Sequence, residues 1–511
     1  MKVTISQINP KTLDFEYNFS LIQEKLKETD VDSLVIFPEL SLSGSPLYDS
    51  VSYNNLYQKS IHYADKLSEL KKDFIFGLPI NQDEEKFNAL AFVENGELKS
   101  IATKKNLGRF DKGFSFGEGF STIEYKKQTI AFGFLEDLDE YLNKKDKADL
   151  ILCCSNILFT PETQKELLTE LQPKIRKAKT PIILVNRCGA EASYIFNGSS
   201  FFMLSNGDLS KELPLFEEAL LQIETQKTEK YTQSPLHRIE KMYNAAVLGI
   251  KDYFRKNNIK KALIGLSGGI DSALVVVLAV EALGKENVIG VLLPSEYSTS
   301  HSITDAKASA ENLGMEHYTI PIKEMFNTAL TALSPIFEGK EPNVAEENLQ
   351  SRIRGMILMG IANKIGAALL NTTNKSELSV GYGTLYGDTN GAIGALGDIF
   401  KTDVWEMSRW INRNKEIIPW NSITKAPSAE LRPDQKDTDS LPDYDILDNI
   451  LYLHLEQRLS REEIINKGFE PNTVDKILRL VKINEWKRHQ VAPLLRMSNS
   501  ALSIEITMPI S

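Results

Sequence analysis

The sequence predicts an α/β protein made of two domains. Over the first 210 residues, short β-rich runs alternate with amphipathic helical segments, and a second strand–helix series starts near residue 236. Strands interleaved with helices are typical of layered α/β domains. The length of 511 residues agrees with more than one domain, since length over about 150 is a soft prior for the domain count.

The N-terminal domain is predicted to span residues 1–224. Its strand candidates are rich in Val, Ile and Phe and are bounded by turn residues, which favours β-structure. Two segments instead carry apolar residues at helical spacing with charges on the opposite face. The predicted strands are VTISQIN, SLVIFPEL, FIFGLPI, NALAFVENG, TIAFGFLED, DLILCCSN, PIILVNRC and SSFFMLSNG, and the helices are NFSLIQEKLKET and TQKELLTELQPKIRKAK.

A linker is predicted at residues 225–235, because TQKTEKYTQSP is polar, has almost no large aliphatic residues and ends in proline. The second domain, residues 236–511, begins with the helix RIEKMYNAAVLGIKDYFRKN. The strand KALIGL, a glycine-rich turn, the apolar helix SALVVVLAVEALG and the strand VIGVLLP follow. Such a βαβ series predicts a parallel sheet whose ligands lie beyond the carboxyl ends of the strands.

Composition excludes several classes of protein. Hydrophobic residues make up 42% and charged residues 25%, as in globular proteins. The net charge of −10 argues against a chain that coats nucleic acid or an anionic membrane. Three cysteines are too few for a disulfide scaffold and favour a reducing cytoplasm. We expect no signal peptide, because the segment MKVTISQINP lacks a long apolar run, and we expect no membrane span, because no apolar run reaches roughly 20 residues.

The glycine-rich turn at 267–272 reads SGGIDS and joins a strand to a helix. Consecutive glycines let a ligand approach the backbone, and amides at a helix N-terminus bind anions. The Walker pattern GxxxxGK[ST] is absent from the turn. The turn resembles the pyrophosphate loop (PP-loop) of ATP pyrophosphatases, which split ATP between its α and β phosphates. A glycine-rich turn without a ligand is the alternative.

Further motifs follow this loop in an order similar to that of the NAD⁺ synthetase family. The set extends over some 280 residues, from about 236 to the C-terminus, which makes it far more specific than any single motif. The resemblance implies a Rossmann-like PP-loop domain. The motifs are ENLQSRIR (347–354), NTTNKSE (371–377), GYGTLYGD (381–388), KT (401–402), PSAEL (427–431) and EWKR (485–488).

The resemblance implies a ligase that adenylates nicotinic acid adenine dinucleotide (deamido-NAD) with ATP and then forms NAD⁺ with ammonia, releasing AMP and pyrophosphate. It implies Mg²⁺ as cofactor, held by Asp271 and Glu377. The implied ATP-binding residues are Gly265, Leu266, Ser267, Gly268, Gly269, Ile270, Asp271, Ser272, Thr372, Lys401 and Ser428. The implied dinucleotide-binding residues are Asn348, Arg352, Glu377, Asp388, Trp486 and Lys487.

The same family implies a homodimer or a higher homo-oligomer, and the apolar segment 353–365 is a reasonable interface helix. Residues 425–448 are rich in proline and charge. We predict a mobile loop there, which would act as a lid over the ligands.

The N-terminal domain resembles the nitrilase-like domain of the glutamine-using branch of this family. The resemblance implies an α-β-β-α sandwich with a Glu–Lys–Cys triad that releases ammonia from glutamine. Glu39 and Lys104 match the base and the lysine, with Lys105 as the less favoured register. Leu135 stands where the nucleophilic cysteine belongs, in the segment Phe-Leu-Glu-Asp. A leucine has no thiolate and cannot form the acyl-enzyme.

Two interpretations of the leucine remain open. In the first, the domain is a degenerate glutaminase, glutamine is a doubtful substrate, and nitrogen comes from ammonia. In the second, Cys153 or Cys154 on the next strand replaces the lost nucleophile, although cysteines in apolar strands are usually inert. Cys188 is predicted to be structural. Three other classes are less favoured: a nitrilase-type amidase with a regulatory C-terminal domain, a non-catalytic assembly protein, and another PP-loop ligase.

Overall fold

The computed structural model describes residues 1–144, 148–226, 231 and 236–510. These residues divide into two compact units, Met1–Pro235 and Leu236–Ser511. Most of the predicted linker at 225–235 lies outside the described residues. No helix within the described ranges is long and apolar enough to cross a membrane.

The first unit contains two six-stranded sheets and a two-stranded ribbon. Its strands are β1 (Lys2–Gln7), β2 (Leu34–Ile36), β3 (Phe74–Gln82), β4 (Glu85–Glu94), β5 (Glu97–Thr103), β6 (Ser121–Tyr125), β7 (Gln128–Phe134), β8 (Leu150–Ser155), β9 (Ile182–Asn186), β10 (Cys188–Glu191), β11 (Tyr194–Asn197), β12 (Phe201–Met203), β13 (Leu209–Glu212) and β14 (Ala219–Glu224). Its helices are α1 (Phe15–Glu28), α2 (Asn54–Ser68), α3 (Leu138–Leu142) and α4 (Thr163–Ala178).

The two large sheets pack face to face with helices outside them. One sheet has the order β14-β1-β2-β3-β4-β5, and the other β13-β12-β9-β8-β7-β6. Alternation along β7 shows the layering, because Ile130, Phe132 and Phe134 join the core between the sheets while Ala131 joins the core beneath α3 and α4. A third core lies between the first sheet and α1 and α2. The predicted α-β-β-α sandwich is therefore confirmed.

Strand direction brings two candidate catalytic residues to one edge of the first sheet. β2 runs parallel to β3, and β3 and β5 both run antiparallel to β4. β2 and β5 therefore end at the same edge, where Glu39 and Lys104 follow them.

The second unit is built on a parallel five-stranded sheet in the order β17-β16-β15-β18-β19. The strands are β15 (Lys261–Gly265), β16 (Val288–Leu292), β17 (Glu316–Thr319), β18 (Ala367–Asn371) and β19 (Ile393–Gly394). The helices are α5 (Arg238–Lys256), α6 (Ile270–Leu283), α7 (Ser300–Leu313), α8 (Lys323–Phe337), α9 (Val344–Ile365), α10 (Lys375–Val380), α11 (Lys401–Ile411), α12 (Trp420–Thr424), α13 (Tyr444–Leu451), α14 (Arg461–Asn466), α15 (Pro471–Ile483) and α16 (Glu485–Arg488).

The prediction of a loop over 425–448 is wrong at its C-terminal end, where α13 begins at Tyr444. Tyr444, Leu447 and Leu451 form a buried face at helical spacing, which the surrounding prolines and charges masked in the sequence.

The predicted interface segment lies within α9. Its Met356 and Met359 are 57% and 38% exposed in the single chain, whereas Ile353 and Ala362 pack into the core beneath the sheet.

Candidate active sites

The second unit contains a cavity of about 330 Å³ at the carboxyl edge of β15, β16 and β18. Parallel strands of α/β sheets place ligand sites at this edge. Most of the residues predicted to bind ATP or the dinucleotide line the cavity: Gly265, Leu266, Ser267, Gly269, Ile270, Asp271, Ser272, Thr372, Glu377, Asp388, Lys401 and Ser428.

The loop between β15 and α6 is a tight turn that requires glycine at position 268. Gly268 has φ +80°, and a Cβ there would lie 2.2 Å from the carbonyl oxygen of Ser302, so only glycine fits. The amide of Gly269 donates to Ser267 Oγ over 3.1 Å, and Ser272 Oγ donates to the carbonyl of Gly269 over 3.0 Å. The loop therefore leads directly into the N-terminus of α6, where helix amides favour phosphate.

Lys401 is a buried cation in the cavity wall that contacts two carboxylates. Its side chain is 3% exposed, forms an ion pair with Asp271, and lies 3.8 Å from Glu377 Oε1. Asn374 Nδ2 donates to Asp271 Oδ1 over 3.0 Å, and α10 begins with a capping box formed by Asn374 and Glu377. Burial, followed by the charge of Asp271, raises the pKa of Glu377 well above its ordinary value.

These residues fit the magnesium ion that the family resemblance implies. Asp271 and Glu377 are oxygen donors that share one cationic neighbour, so both can reach a common cation. Magnesium is usually bound by one or two carboxylates, with substrate phosphates and water completing the shell. Consistent with that, the described residues contain no cluster of three or more His, Cys, Asp or Glu side chains suited to hold a metal alone.

The remaining predicted residues surround the segment 381–388, beside the cavity. Lys487 Nζ donates to the carbonyls of Gly381 and Gly383 over 2.8 and 3.0 Å. Thr384 Oγ1 donates to Asn348 Oδ1 over 2.8 Å, and its amide donates to Asp388 Oδ1 over 2.6 Å. The structure thus brings these side chains together, with Arg352 donating from Nε to the carbonyl of Leu385 and Trp486 exposed beside Lys487.

Sequence reasoning missed several residues of the cavity wall. Asp437 accepts hydrogen bonds from Tyr382 and Tyr444 over 3.0 and 2.9 Å, and it helps to raise the pKa of Glu377. Glu430 accepts from Thr299 and Ser302 at the start of α7. Arg354 also lines the cavity. Arg354 belongs to the motif ENLQSRIR, and its residue type was the available signal, because an arginine is suited to binding an anionic nucleotide.

In the first unit, Lys104 lies in a buried cluster of carboxylates. Its Nζ is 2.9 Å from Glu39 Oε1, 3.0 Å from Asp111 Oδ2 and 2.9 Å from Glu136 Oε1. Burial raises the pKa of Glu39, and the neighbouring carboxylates raise the pKa of Lys104. Asn88 Nδ2 donates to Glu39 and Asp111. Lys105, the other candidate register, instead pairs with exposed Glu140.

Leu135 lies between two residues that contact the Lys104 ammonium. The ring centroid of Phe134 is 5.5 Å from Lys104 Nζ, and Glu136 forms the ion pair described above. The side chain of Leu135 packs against the core beneath α3 and α4. Position 135 thus adjoins the cluster along the chain, and its side chain is a hydrocarbon that packs on the helix side of the sheet.

The cysteines nearest in sequence to this cluster are buried in β8. Cys153 and Cys154 have no exposed surface, and burial raises the pKa of both thiols. Cys154 Sγ donates to the carbonyl of Phe37 over 3.2 Å. Cys188 is also buried.

The sequence model of one family, described as NAD synthase, matches residues 217–491. The chain belongs to the NAD synthase family. A glutamine-dependent NAD(+) synthetase of Synechocystis is 39% identical over 100% of this chain and 98% of its own length. One of Thermotoga maritima is 36% identical with the same coverage. The structure of a glutamine-dependent NAD⁺ synthetase from Acinetobacter baumannii, in complex with ADP, covers 100% of this chain and 98% of its own, with 32% identity and a TM-score of 0.80.

Membership of this family confirms the predicted resemblance, and it makes the protein an ATP-dependent carbon–nitrogen ligase of the NAD⁺ synthetase type. The relatives also bear on the nitrogen donor. All three are named as glutamine-dependent, and those names favour the alternative of a glutamine-hydrolysing enzyme over the prediction of ammonia alone.

Proposed function

We propose that this NAD⁺ synthetase takes its nitrogen from ammonia rather than from glutamine bound in its own first unit. In the reaction, a carboxylate oxygen of deamido-NAD attacks the α-phosphorus of ATP, and pyrophosphate leaves. Ammonia then adds to the acyl carbon of the adenylate, the intermediate loses a proton, and AMP leaves as the carboxamide forms. Adenylation is needed because a free carboxylate has no good leaving group.

The cavity of the second unit would bind ATP. The amides of 267–272 and the Lys401 ammonium would neutralise the phosphates, since backbone donors and lysine are suited to phosphoryl groups. Asp271 and Glu377 would hold Mg²⁺, which when bound stabilises charge on the departing pyrophosphate. Thr372 and Ser428 line the same cavity and would lie beside the nucleotide.

The dinucleotide would lie along the segment 381–388. Asp388 borders the cavity, and its carboxylate accepts a hydrogen bond from the amide of Thr384. It therefore lies between the nucleotide site and Lys487, whose ammonium its charge reaches. Arg352 and Lys487 would supply positive charge for the pyrophosphate of the dinucleotide, with Asn348 and Trp486 beside them.

The observation that carries the choice of ammonia is Leu135. Both sequence neighbours of this residue contact the Lys104 ammonium, which supports the assignment of position 135 as the one where the family resemblance expects the thiolate. A covalent glutaminase needs that nucleophile. In addition, Lys104 already contacts three carboxylates, which engages the three N–H donors of its ammonium that would otherwise stabilise an oxyanion.

A replacement nucleophile in β8 is disfavoured by burial. A reactive cysteine needs an accessible thiolate with a lowered pKa, whereas Cys153 and Cys154 are inaccessible and their thiol pKa values are raised.

Glutamine is the second candidate donor, and a specific observation favours it. Relatives that match the whole chain at 36% and 39% identity are named as glutamine-dependent. One assay separates the two candidates: purified protein with Mg-ATP and deamido-NAD, supplied with either ammonium or glutamine. We expect NAD⁺ from ammonium and none from glutamine. NAD⁺ formation from glutamine at a comparable rate would overturn the proposal, and a Cys154→Ala variant would then show whether that thiol is the nucleophile.

We also propose a homodimer formed through α9, since its exposed methionines offer an apolar surface. Light scattering of wild type and of a Met356→Glu variant tests the dimer. An unchanged mass in the variant contradicts this interface.

We further propose that the segment from 425 to the start of α13 acts as a lid over the ligands. Amide exchange at 425–443 with and without ATP tests the lid, and unchanged protection contradicts it.

A further inference from the structure

Arg354 has a guanidinium that lines the nucleotide cavity without an anionic partner. Its Nε donates to the carbonyl of Leu293 over 2.9 Å. Within the described chain, its two terminal nitrogens make no hydrogen bond or ion pair with protein. The side chain is partly buried and belongs to the cavity wall. An arginine fork held by its Nε, with both Nη groups open towards a cavity, is the usual arrangement for binding a phosphate or carboxylate.

Keeping the Arg354 guanidinium charged without a paired anion costs free energy, because burial removes part of its hydration. Burial lowers the pKa of Arg354 to about 10, while Asp388 and Glu430 favour its charged form from a distance. Neither carboxylate forms an ion pair with it in the described structure. The side chain therefore stays cationic at neutral pH, and an anion in the cavity would offset the loss of hydration.

The position of Arg354 along the cavity wall indicates which anionic group of the substrates it would bind. Leu293 follows β16, next to the apolar wall formed by Leu266, Leu292 and Ile303, where a nucleotide base can pack. One turn further along α9, Leu358 lies next to Gly265 at the start of the glycine-rich loop, so that a Cβ on this glycine would come 3.1 Å from Leu358 Cδ1. On the other side, Ser351 Oγ accepts from the amide of Asp388, which borders the dinucleotide segment. Arg354 thus lies between the base end, the phosphate loop and the acceptor side.

Lys401, together with Asp271 and Glu377 that contact it, is suited to the β and γ phosphates and their metal. The group that joins the base end to the acceptor side is the α-phosphate, which the acceptor carboxylate attacks. We propose that Arg354 binds the α-phosphoryl group of ATP and of the adenylate through its two terminal nitrogens. This inference rests on the assignment of the cavity to ATP and is independent of the nitrogen donor.

In this arrangement Arg354 would touch the reacting group. Charge on the α-phosphoryl oxygens changes as the carboxylate attacks, and a fixed guanidinium stabilises that charge. A lysine at the same position would retain a point charge but lose the planar fork. Arg354→Lys should therefore be intermediate between wild type and Arg354→Met.

Calorimetric titrations of the full chain with AMP and with pyrophosphate test the proposal without any nitrogen donor. We expect Arg354→Met to weaken AMP binding by about 10- to 100-fold, the range of one charge-assisted hydrogen bond, and to leave pyrophosphate binding unchanged. Arg409→Met, which removes an exposed arginine of α11, is the matched control and should change neither.

Three outcomes would overturn the inference. Unchanged AMP binding in Arg354→Met means that the side chain does not contact the α-phosphate. Weakened binding of deamido-NAD alone assigns it to the acceptor carboxylate instead. Equal weakening of AMP and pyrophosphate indicates general damage to the cavity. If wild type binds AMP and pyrophosphate but makes NAD⁺ only from glutamine, the ammonia proposal fails while this one stands.

Discussion

Replacing Lys104 with methionine tests the buried cluster of Glu39, Lys104 and Asp111 as a structural element. Methionine matches the length of the lysine stem but leaves the Glu39 and Asp111 side chains, which are 3% and 2% exposed, without their cation. Removing one partner of a buried ion pair costs about 3–5 kcal/mol of unfolding free energy. The contact with Glu136 adds little, since that side chain is 40% exposed. For a unit of this size, the melting temperature should fall by roughly 10 °C.

The two units can be observed separately in one experiment. All four tryptophans lie in the second unit, at positions 405, 410, 420 and 486. Tryptophan fluorescence therefore reports on the second unit, while circular dichroism reports on both. We expect Lys104→Met to lower the transition that is visible by circular dichroism but not by fluorescence.

Lys105→Met is the matched control, because this lysine pairs with Glu140 at the surface, where both side chains are more than 40% exposed. Such exposed pairs contribute little to stability, because solvent screens them. If Lys104→Met costs no more than Lys105→Met, the reasoning about the buried cluster is refuted. NAD⁺ formation from ammonium should persist in both variants at temperatures where they are folded.

Three further predictions concern activity and pH. Leu135→Cys should introduce glutamate release from glutamine, whereas the control Leu135→Ser should not. Equal rates of glutamate release in the two variants would show that glutaminase activity does not depend on a thiol at this position. Lys401→Met should reduce ammonium-dependent NAD⁺ formation at least about 100-fold, because it removes a phosphate ligand. The control Lys415→Met, at an exposed lysine, should leave this rate unchanged. Similar rates in the two variants would contradict the role of Lys401. Burial raises the pKa of Asp448 to about 6 from 3.8, so the folded state binds its proton more tightly and stability falls as pH rises from about 4 to 6. Asp448→Asn does not titrate and should gain stability relative to wild type, by up to about 3 kcal/mol, between pH 4 and 7; parallel urea-unfolding data across that range would exclude this effect.

Much of the fold follows from local patterns. The runs of β-branched and aromatic residues predicted eight strands of the first unit, and the glycine-rich turn correctly marked the start of α6. Edge elements such as β5 and β6 were missed, because their half-exposed strands lack a strong apolar run. The helix at Tyr444 was missed because nearby prolines and charges outweighed a short buried face.

The sequence by itself determined which reactive groups the side chains carry. A leucine at position 135 carries no thiol in any fold, and the order of motifs from the glycine-rich loop to the C-terminus identified the family. These conclusions depend on residue type and spacing, which are local properties of the chain.

Only the tertiary structure decided which side chains meet. It selected Lys104 over Lys105 as the partner of Glu39, because strand direction and pleat turn one lysine into the cluster and the other to solvent. It buried Cys153 and Cys154, and it brought Arg354 and Asp437 to a cavity shared with loops distant in sequence. Burial and long-range contacts depend on how strands and helices pack, and no local pattern contains that information.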